Sequence, residues 1–379
     1  MTRKWAVGIA AGAGGAAALC AWLFVAAPAA EQAARPGTQP TDTYEFNDSH
    51  FHLTNYIQEG SDIHDFLKIM GTRVGRSTLF GIPLQQEWSY ANSGDFAPTY
   101  YLQSDAPLYY YSFTDAYIAS VYRSLSKSEQ ARFDPMITGF NPADMYGVDH
   151  IKRVLRVFPG VFSGIGEFSI HKEFVSSKIA GGPASLVNPA LDRILDFAAD
   201  AGLVVLIHND IDMPFAKQDT EPLYLTQMKA LLTRHPKATV IWAHVGLGRV
   251  VHPVQVSAEA AERAPNHVEI VEALLDDPGL KNLNFDISWD EVAKYAVATP
   301  ESIARVAAML NKYPDRFLFG TDNVAPASAA AYYAVYDMWA PVWRLLTPEA
   351  SVKIRKANYD RIFDDARRRV REWERVNVK

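Results

Sequence analysis

The sequence predicts an α/β chain closed into a (β/α)8 barrel of the TIM type, and three observations carry that prediction. Short apolar, β-branched runs alternate with longer helical patterns. Eight such runs lie within 44–379. Several of them end on a residue able to bind a metal or move a proton. Strands separated by helices at this spacing form a parallel sheet. Eight units suit a closed barrel, whose chemistry sits at the C-terminal strand ends. An open doubly wound sheet is the alternative, but the first strand lacks a Gly-x-Gly-x-x-Gly turn for a dinucleotide.

The chain opens on Met1-Thr2-Arg3-Lys4, followed by an apolar Ala/Gly-rich run from Trp5 to Ala27 and then Ala27-Pro28-Ala29. Basic, apolar and small residues in that order read as a secretory signal over 1–30, which sends the protein to the periplasm or outside the cell. The run also has the length to cross a bilayer, so an uncleaved N-terminal anchor is the alternative. Leu19 stands before Cys20 where a lipid anchor needs a small residue. Residues 31–43, rich in Ala, Pro, Gln and Thr without apolar periodicity, form a linker.

The barrel domain, 44–379, has predicted strands over 46–53, 77–83, 135–140, 162–170, 203–209, 239–245, 283–288 and 317–322. Helical patterns occupy 63–71, 115–126, 145–158, 189–201, 223–234, 301–312 and 329–346. Ser61 and Asn188-Pro189 stand where a helix cap and a first-turn proline belong. Two segments exceed what a connection needs, 85–113 after strand two and 250–266 after strand six. Loops on that side of a barrel build its mouth. The first carries Trp88, Tyr90, Tyr100, Tyr101, Tyr109, Tyr110 and Tyr111, either as a lid over a substrate or as a cluster that buries a long loop.

Composition narrows the partners. The one cysteine, Cys20, lies in the leader, so the barrel domain has no disulfide and no thiolate chemistry. A net charge of −6 lacks the electrostatic footprint of a nucleic-acid binder and leaves a small-molecule substrate. The run Arg367-Arg368-Arg369 alternates with acids on a C-terminal helix and reads as a solvated face.

The chemistry follows from where the polar residues fall. His50 and His52 close the first strand, two residues apart and therefore on one side of it. Strand four ends in Gly-Ile-Gly-Glu167-Phe-Ser-Ile-His171, strand five in Val-Val-Leu-Ile-His208-Asn-Asp210 and strand six in Val-Ile-Trp-Ala-His244. Strand eight ends in Phe-Leu-Phe-Gly-Thr-Asp322. A single strand-end histidine is ordinarily a hydrogen-bonded core residue. Five strand ends reaching one face of a barrel are not, because buried ionisable groups are costly unless paired or bound to a cation. Near the mouth stand Asn209, Asp210 and Asp212, then Arg249, then Asp286, Trp289 and Asp290. Arg249 suits a substrate carboxylate or phosphate, or else it steadies a loop. The remaining histidines, His64, His150, His235, His252 and His267, read as surface residues.

These motifs, in this order, resemble the amidohydrolase superfamily of (β/α)8-barrel metal enzymes. The segment Lys353-Ile-Arg-Lys-Ala-Asn358-Tyr-Asp-Arg-Ile-Phe363 is similar to the final helix of its amidohydrolase-related branch, which holds hydrolases, lactonases and non-oxidative decarboxylases. The resemblance implies that His50, His52, His208 and Asp322 bind the more buried metal. Zinc suits that donor set, and manganese or iron is compatible with it. It further implies that Asp322 takes the proton of the attacking water, while His244 either binds a second metal or polarises the substrate carbonyl. Glu167, placed like the glutamate of TatD-type hydrolases, either bridges two metals or pairs with Lys172 or Arg193. His171, Arg249 and Asn209 are the expected substrate contacts. The expected activity is hydrolysis of an ester, amide, lactone or phosphoester. A mononuclear decarboxylase is the runner-up, and a non-catalytic exported binding protein comes last because no ligand position is missing.

Overall fold

The computed structural model describes residues 44–211, 222–249 and 267–378. Asp212, His252, the leader, the linker and the long segment after strand six lie outside the described residues. Among those described, no helix is long and apolar enough to cross a membrane.

Eight parallel strands form one sheet in chain order. They are β1 (Phe46–Asp48, continued by Phe51–His52), β2 (Val74–Leu79), β3 (Phe133–Ile137), β4 (Gly164–Ser169), β5 (Val204–His208), β6 (Thr239–Trp242), β7 (Leu283–Asp286) and β8 (Phe317–Leu318, continued by Asn323–Val324). Each falls on or beside a predicted run. The sheet closes on itself: Asn323 and Val324 pair in parallel with Phe51 and His52, and Asp322 N donates to His50 O at 2.8 Å. The closing contact puts the His50-x-His52 end of β1 beside Asp322.

Period-two side-chain placement sorts the core. In β5, Val204 and Leu206 face a cluster inside the barrel with Met136, Ile241 and Leu318, whereas Val205 and Ile207 join the larger cluster under the helices. His208 shares the inward parity of Val204 and Leu206. Tyr359, Ile362, Phe363 and Ala366 of the terminal helix Asn358–Asn377 belong to the inner cluster and plug the barrel floor. At that floor the fully buried Asp134 accepts from Arg76, Arg367 and Tyr359. The solvated-face reading of 367–369 is therefore corrected. Arg367 turns inward to Asp134 and Arg369 caps the carbonyl of Ala199 at 2.7 Å, which leaves Arg368 as the exposed member.

Two local expectations resolve differently from each other. Asn188 caps the helix Pro189–Ala201 by accepting from Ala190 N at 2.9 Å, with Pro189 in its first turn. The cap of Ile63–Met70 is Asp62, not Ser61. Asp62 accepts from His64 N and Asp65 N, while Ser61 donates its hydroxyl to Pro326 O.

The segment 85–113, with Leu84, forms an antiparallel hairpin, Leu84–Gln86 with Leu108–Tyr110, whose loop brings Tyr101 to Arg249 at the mouth. Its inner face packs Leu84, Tyr101 and Leu108 on Tyr56, Ile82, Val175 and Ile179. Lys178 pins it by donating to the carbonyls of Tyr101 and Ser104 at 2.5 and 2.6 Å. Trp88 and Tyr90 point to solvent. The aromatic residues thus divide between sealing the loop and standing on its outer surface.

Candidate metal centre

The site is assembled at the C-terminal ends of β1, β4, β5, β6, β7 and β8. Two glycines admit the approach. A Cβ on Gly166, where φ is +109°, would fall 1.9 Å from Leu206 O, and Gly320 lets β8 pass against His50. His244 and Val245 both hold left-handed backbone angles, φ 56° and 50°, in a tight turn after β6. Such angles are unfavourable for residues with a Cβ and persist where neighbours fix them. Here Asp286 Oδ1 accepts from His244 N at 2.9 Å, and the His267 ring bonds Val245 O at 2.8 Å.

His50 and His52 bring their Nε2 atoms to 3.2 Å from each other. Asp322 Oδ1 lies 3.3 Å from the first and 3.2 Å from the second. Donors around a four-coordinate zinc with bonds of about 2.0–2.1 Å are separated by roughly 3.3–3.4 Å. These three atoms therefore already have the spacing of one coordination shell. Glu167 faces both sides of the cluster. Its Oε2 is 3.5 Å from His52 Nε2 and 3.8 Å from His50 Nε2, while its Oε1 is 2.8 Å from His208 Nδ1 and 3.3 Å from His244 Nε2. Two groups, His50–His52–Asp322 and His50–Glu167–His244, keep all their donor atoms within 4.8 Å. His208 is in neither of these two groups; its ring lies between Glu167 Oε1 at 2.8 Å and Asp210 Oδ1 at 3.0 Å.

Carboxylates behind the rings set their orientation. Asp286 Oδ2 meets His50 Nδ1 at 3.0 Å, Ser288 Oγ meets His244 Nδ1 at 2.9 Å, and Asp286 also accepts from Ser288 Oγ. Asp210 Oδ1 meets His208 Nε2 at 3.0 Å. A carboxylate on the far nitrogen of a ligand imidazole fixes its tautomer and raises its basicity. Burial disfavours the charged ring of His50, but Asp286, Asp322 and Glu167 outweigh it and hold the His50 pKa well above its ordinary value. Burial dominates at His52 and His208 and pushes both down. Although burial opposes it, the lysine and histidine charges around Glu167 hold its carboxyl well below the usual range. Asp322 is also held low, by His50, His244 and His52 against burial. The ring nitrogens His52 Nδ1 and His244 Nε2 are buried without a hydrogen-bond partner. A cluster of ionised carboxylates, with the His52 and His208 rings held neutral by burial and His244 Nε2 left without a partner, fits a divalent cation that would also take the place of the proton on His50.

The expected substrate contacts each have protein partners. Arg249 stacks on Trp289 at 5.0 Å and reaches Tyr101 Oη at 3.5 Å, with Glu173 and Glu291 beside it. His171 stacks flat on Tyr224 with ring centroids 3.5 Å apart, and burial pushes its pKa to about 4. Asn209 has the parity opposite to His208, and its carbonyl accepts from Trp242 Nε1 at 2.7 Å. Asn209 thus ties β5 to the helix-facing layer. Arg193 pairs with Asp149, which leaves Lys172 as the basic neighbour of Glu167. Among histidines read as surface residues, His235 is buried between Asp192 and Asp196, and His150 bonds Asp115. Asp210 and Asp286, which the sequence marks only as polar groups near the mouth, and Ser288, which it does not mark, are the supporting residues. Their inward parity at strand ends is the signal that finds Asp286.

The fold and the cluster define a (β/α)8-barrel enzyme built to hold a divalent metal at its strand ends. The chain belongs to the amidohydrolase family, whose family model, Amidohydrolase, matches residues 48–364. No curated protein matches it in sequence. Similar solved structures include a putative 2-pyrone-4,6-dicarboxylic acid hydrolase from Pseudomonas putida, at 11% identity, 85% of this chain, 98% of that one and a TM-score of 0.49. A dihydroorotase from Campylobacter jejuni is 14% identical, with 84% and 83% covered and a TM-score of 0.48. A 2,6-dihydroxybenzoate decarboxylase from Rhizobium is 12% identical, with 85% and 99% covered and a TM-score of 0.46. Likenesses this distant pass no activity to this chain.

Proposed function

We propose that the chain is a metal-dependent hydrolase in which Glu167 bridges two cation positions, one at His50, His52 and Asp322 and one at His208 and His244. The observation that carries this reading is the division of the Glu167 carboxylate, Oε2 toward the β1 histidines and Oε1 toward His208 and His244. In the decarboxylase alternative, Glu167 would stand apart from the metal. Zinc suits the nitrogen and carboxylate donors.

A bound cation supplies hydroxide near neutral pH by lowering the pKa of water to about 7. The chain's own residues do the rest. Asp322, held ionised with Oδ2 3.9 Å from His244 Nε2, accepts the proton of the attacking water and returns it to the leaving group. Ser288 fixes His244 through Nδ1, which leaves Nε2, 3.3 Å from Glu167 Oε1, as the ring atom that would hold the second cation. Lys178 holds the hairpin loop beside the site by the carbonyls of Tyr101 and Ser104. The order of basic, apolar and small residues over 1–30 supports a further part of the proposal, that the enzyme is exported.

The test is a panel of esters, lactones, amides and phosphoesters, assayed by proton release with zinc-loaded protein and with Asp322→Asn. Turnover lost in D322N supports hydrolysis. Release of CO2 from aromatic acids, without turnover of any hydrolytic substrate, would overturn it.

A further inference from the structure

Lys172 has no place in the metal-binding scheme, yet its ammonium points at the scheme's bridging carboxylate. Its Nζ lies 4.0 Å from Glu167 Oε1, with 13% of the side chain exposed. Its backbone is fixed: Lys172 N donates to Ser176 Oγ at 2.9 Å, and its carbonyl accepts from Ser176 N at 2.9 Å. The stem therefore leaves a rigid turn and carries the ammonium to Glu167, with Tyr56, Tyr101 and Asp322 near enough for their charges to act on it.

Lysines elsewhere in this chain show what a structural role looks like. Lys178 donates to two carbonyls within 2.6 Å, and Lys294 contacts Asp290 at 2.6 Å. Among the described residues, the Lys172 ammonium donates no hydrogen bond. An ammonium has three donors, so that of Lys172 is free to engage a ligand. Arg249, the other cation at the mouth, is already flanked by Glu173 and Glu291. Lys172 is paired with one carboxylate oxygen, at 4.0 Å.

Occupation of Glu167 sharpens the point. Once a divalent cation engages that carboxylate, Lys172 shares its counter-ion with a like charge. With its charge shared between the cation and Lys172, Glu167 screens the two from each other less fully, and a further anion beside them would be attracted by both. We propose that Lys172 is a further catalytic residue whose ammonium binds an anionic oxygen of the substrate, carboxylate or phosphoryl, held between it and the metal centre. This rests on the reading of the cluster as a metal centre, and it deepens that reading by making the substrate an anion.

The experiment uses the full zinc-loaded protein, with benzoate and inorganic phosphate as separate probes. Wild type, Lys172→Met and Lys172→Arg are titrated by calorimetry, and metal per chain is measured on the same samples. The expected result is that one probe binds wild type and that K172M weakens it roughly tenfold or more, with K172R between. Metal content should be equal in all three, with K172M brought to saturating zinc if needed. The probe that binds tells a carboxylate site from a phosphoryl site. Equal affinity in wild type and K172M, or no binding of either probe to metal-loaded wild type, would overturn the assignment of Lys172. Absence of metal from wild type would instead overturn the underlying reading, so the two failures are separable.

Discussion

His50 Nδ1 lies 3.0 Å from Asp286 Oδ2, and this contact turns the opposite ring nitrogen toward His52 and Asp322. Asp286 also holds His244 N and both polar atoms of Ser288, so one buried carboxylate orients two imidazoles from different strands. Replacing it by asparagine keeps the volume and removes the charge. Asp286→Asn should weaken metal binding by about 10–100-fold, a usual cost of losing an outer carboxylate. Competition with a chromogenic chelator measures this, and an unchanged affinity would deny Asp286 the role.

Asp210 does for His208 what Asp286 does for His50, through the 3.0 Å contact at Nε2. Asp210→Asn should therefore empty the position at Glu167, His208 and His244 first and leave the β1 position filled. Cobalt substitution followed by absorption titration separates the two positions as distinct binding steps. Loss of both together would show that they are not independently built.

The acid response of the turn after β6 follows from His267. Burial lowers its pKa to about 4, from 6.5 in an exposed chain, and the neutral ring bonds Val245 O. A depressed histidine pKa means that the folded state resists protonation. Its stabilisation is present above 6.5 and is lost as pH falls toward 4. Between pH 7.5 and 4.5, metal-free wild type should lose about 2–3 kcal/mol more than His267→Gln. Urea unfolding at the two pH values reads the difference, and parallel losses would contradict it.

Asn358 opens the terminal helix and donates from one side-chain nitrogen to Pro314 O at 2.7 Å and Phe317 O at 2.8 Å. Asn358→Ala should destabilise the protein by about 1–3 kcal/mol, because it strands two carbonyls at the start of β8. Denaturant titration checks this. The same variant should keep its metal, since the helix meets the barrel at the floor and not at the mouth.

Much of this architecture was legible because barrel strands announce themselves twice, by an apolar run and by the polar residue that ends it. Val-Val-Leu-Ile-His208 carries both signals, and period two assigns His208 to the axis. What escaped depends on contacts between distant segments. Asp286 could be placed near the mouth, but its role as the carboxylate behind His50 depends on contacts from β1 and from the left-handed turn at His244. The hairpin at the mouth was read as a loop because its strands have three residues each and no clear alternation. Arg367 looks like a solvated charge until the terminal helix is laid against the floor, where Asp134 waits. Ser61 and Asp62 are both good caps, and the choice between them is made by Pro326, far along the chain.

The central claim is that Glu167 joins two cation positions, and metal stoichiometry tests it most directly. Wild type and Glu167→Gln, without residues 1–30 and purified without chelator, would be loaded with zinc, desalted and counted by elemental analysis. The account predicts near two ions per chain in wild type, falling to about one in E167Q. One ion in both would contradict the bridge and favour a mononuclear centre. No ion in either would contradict the metal centre itself.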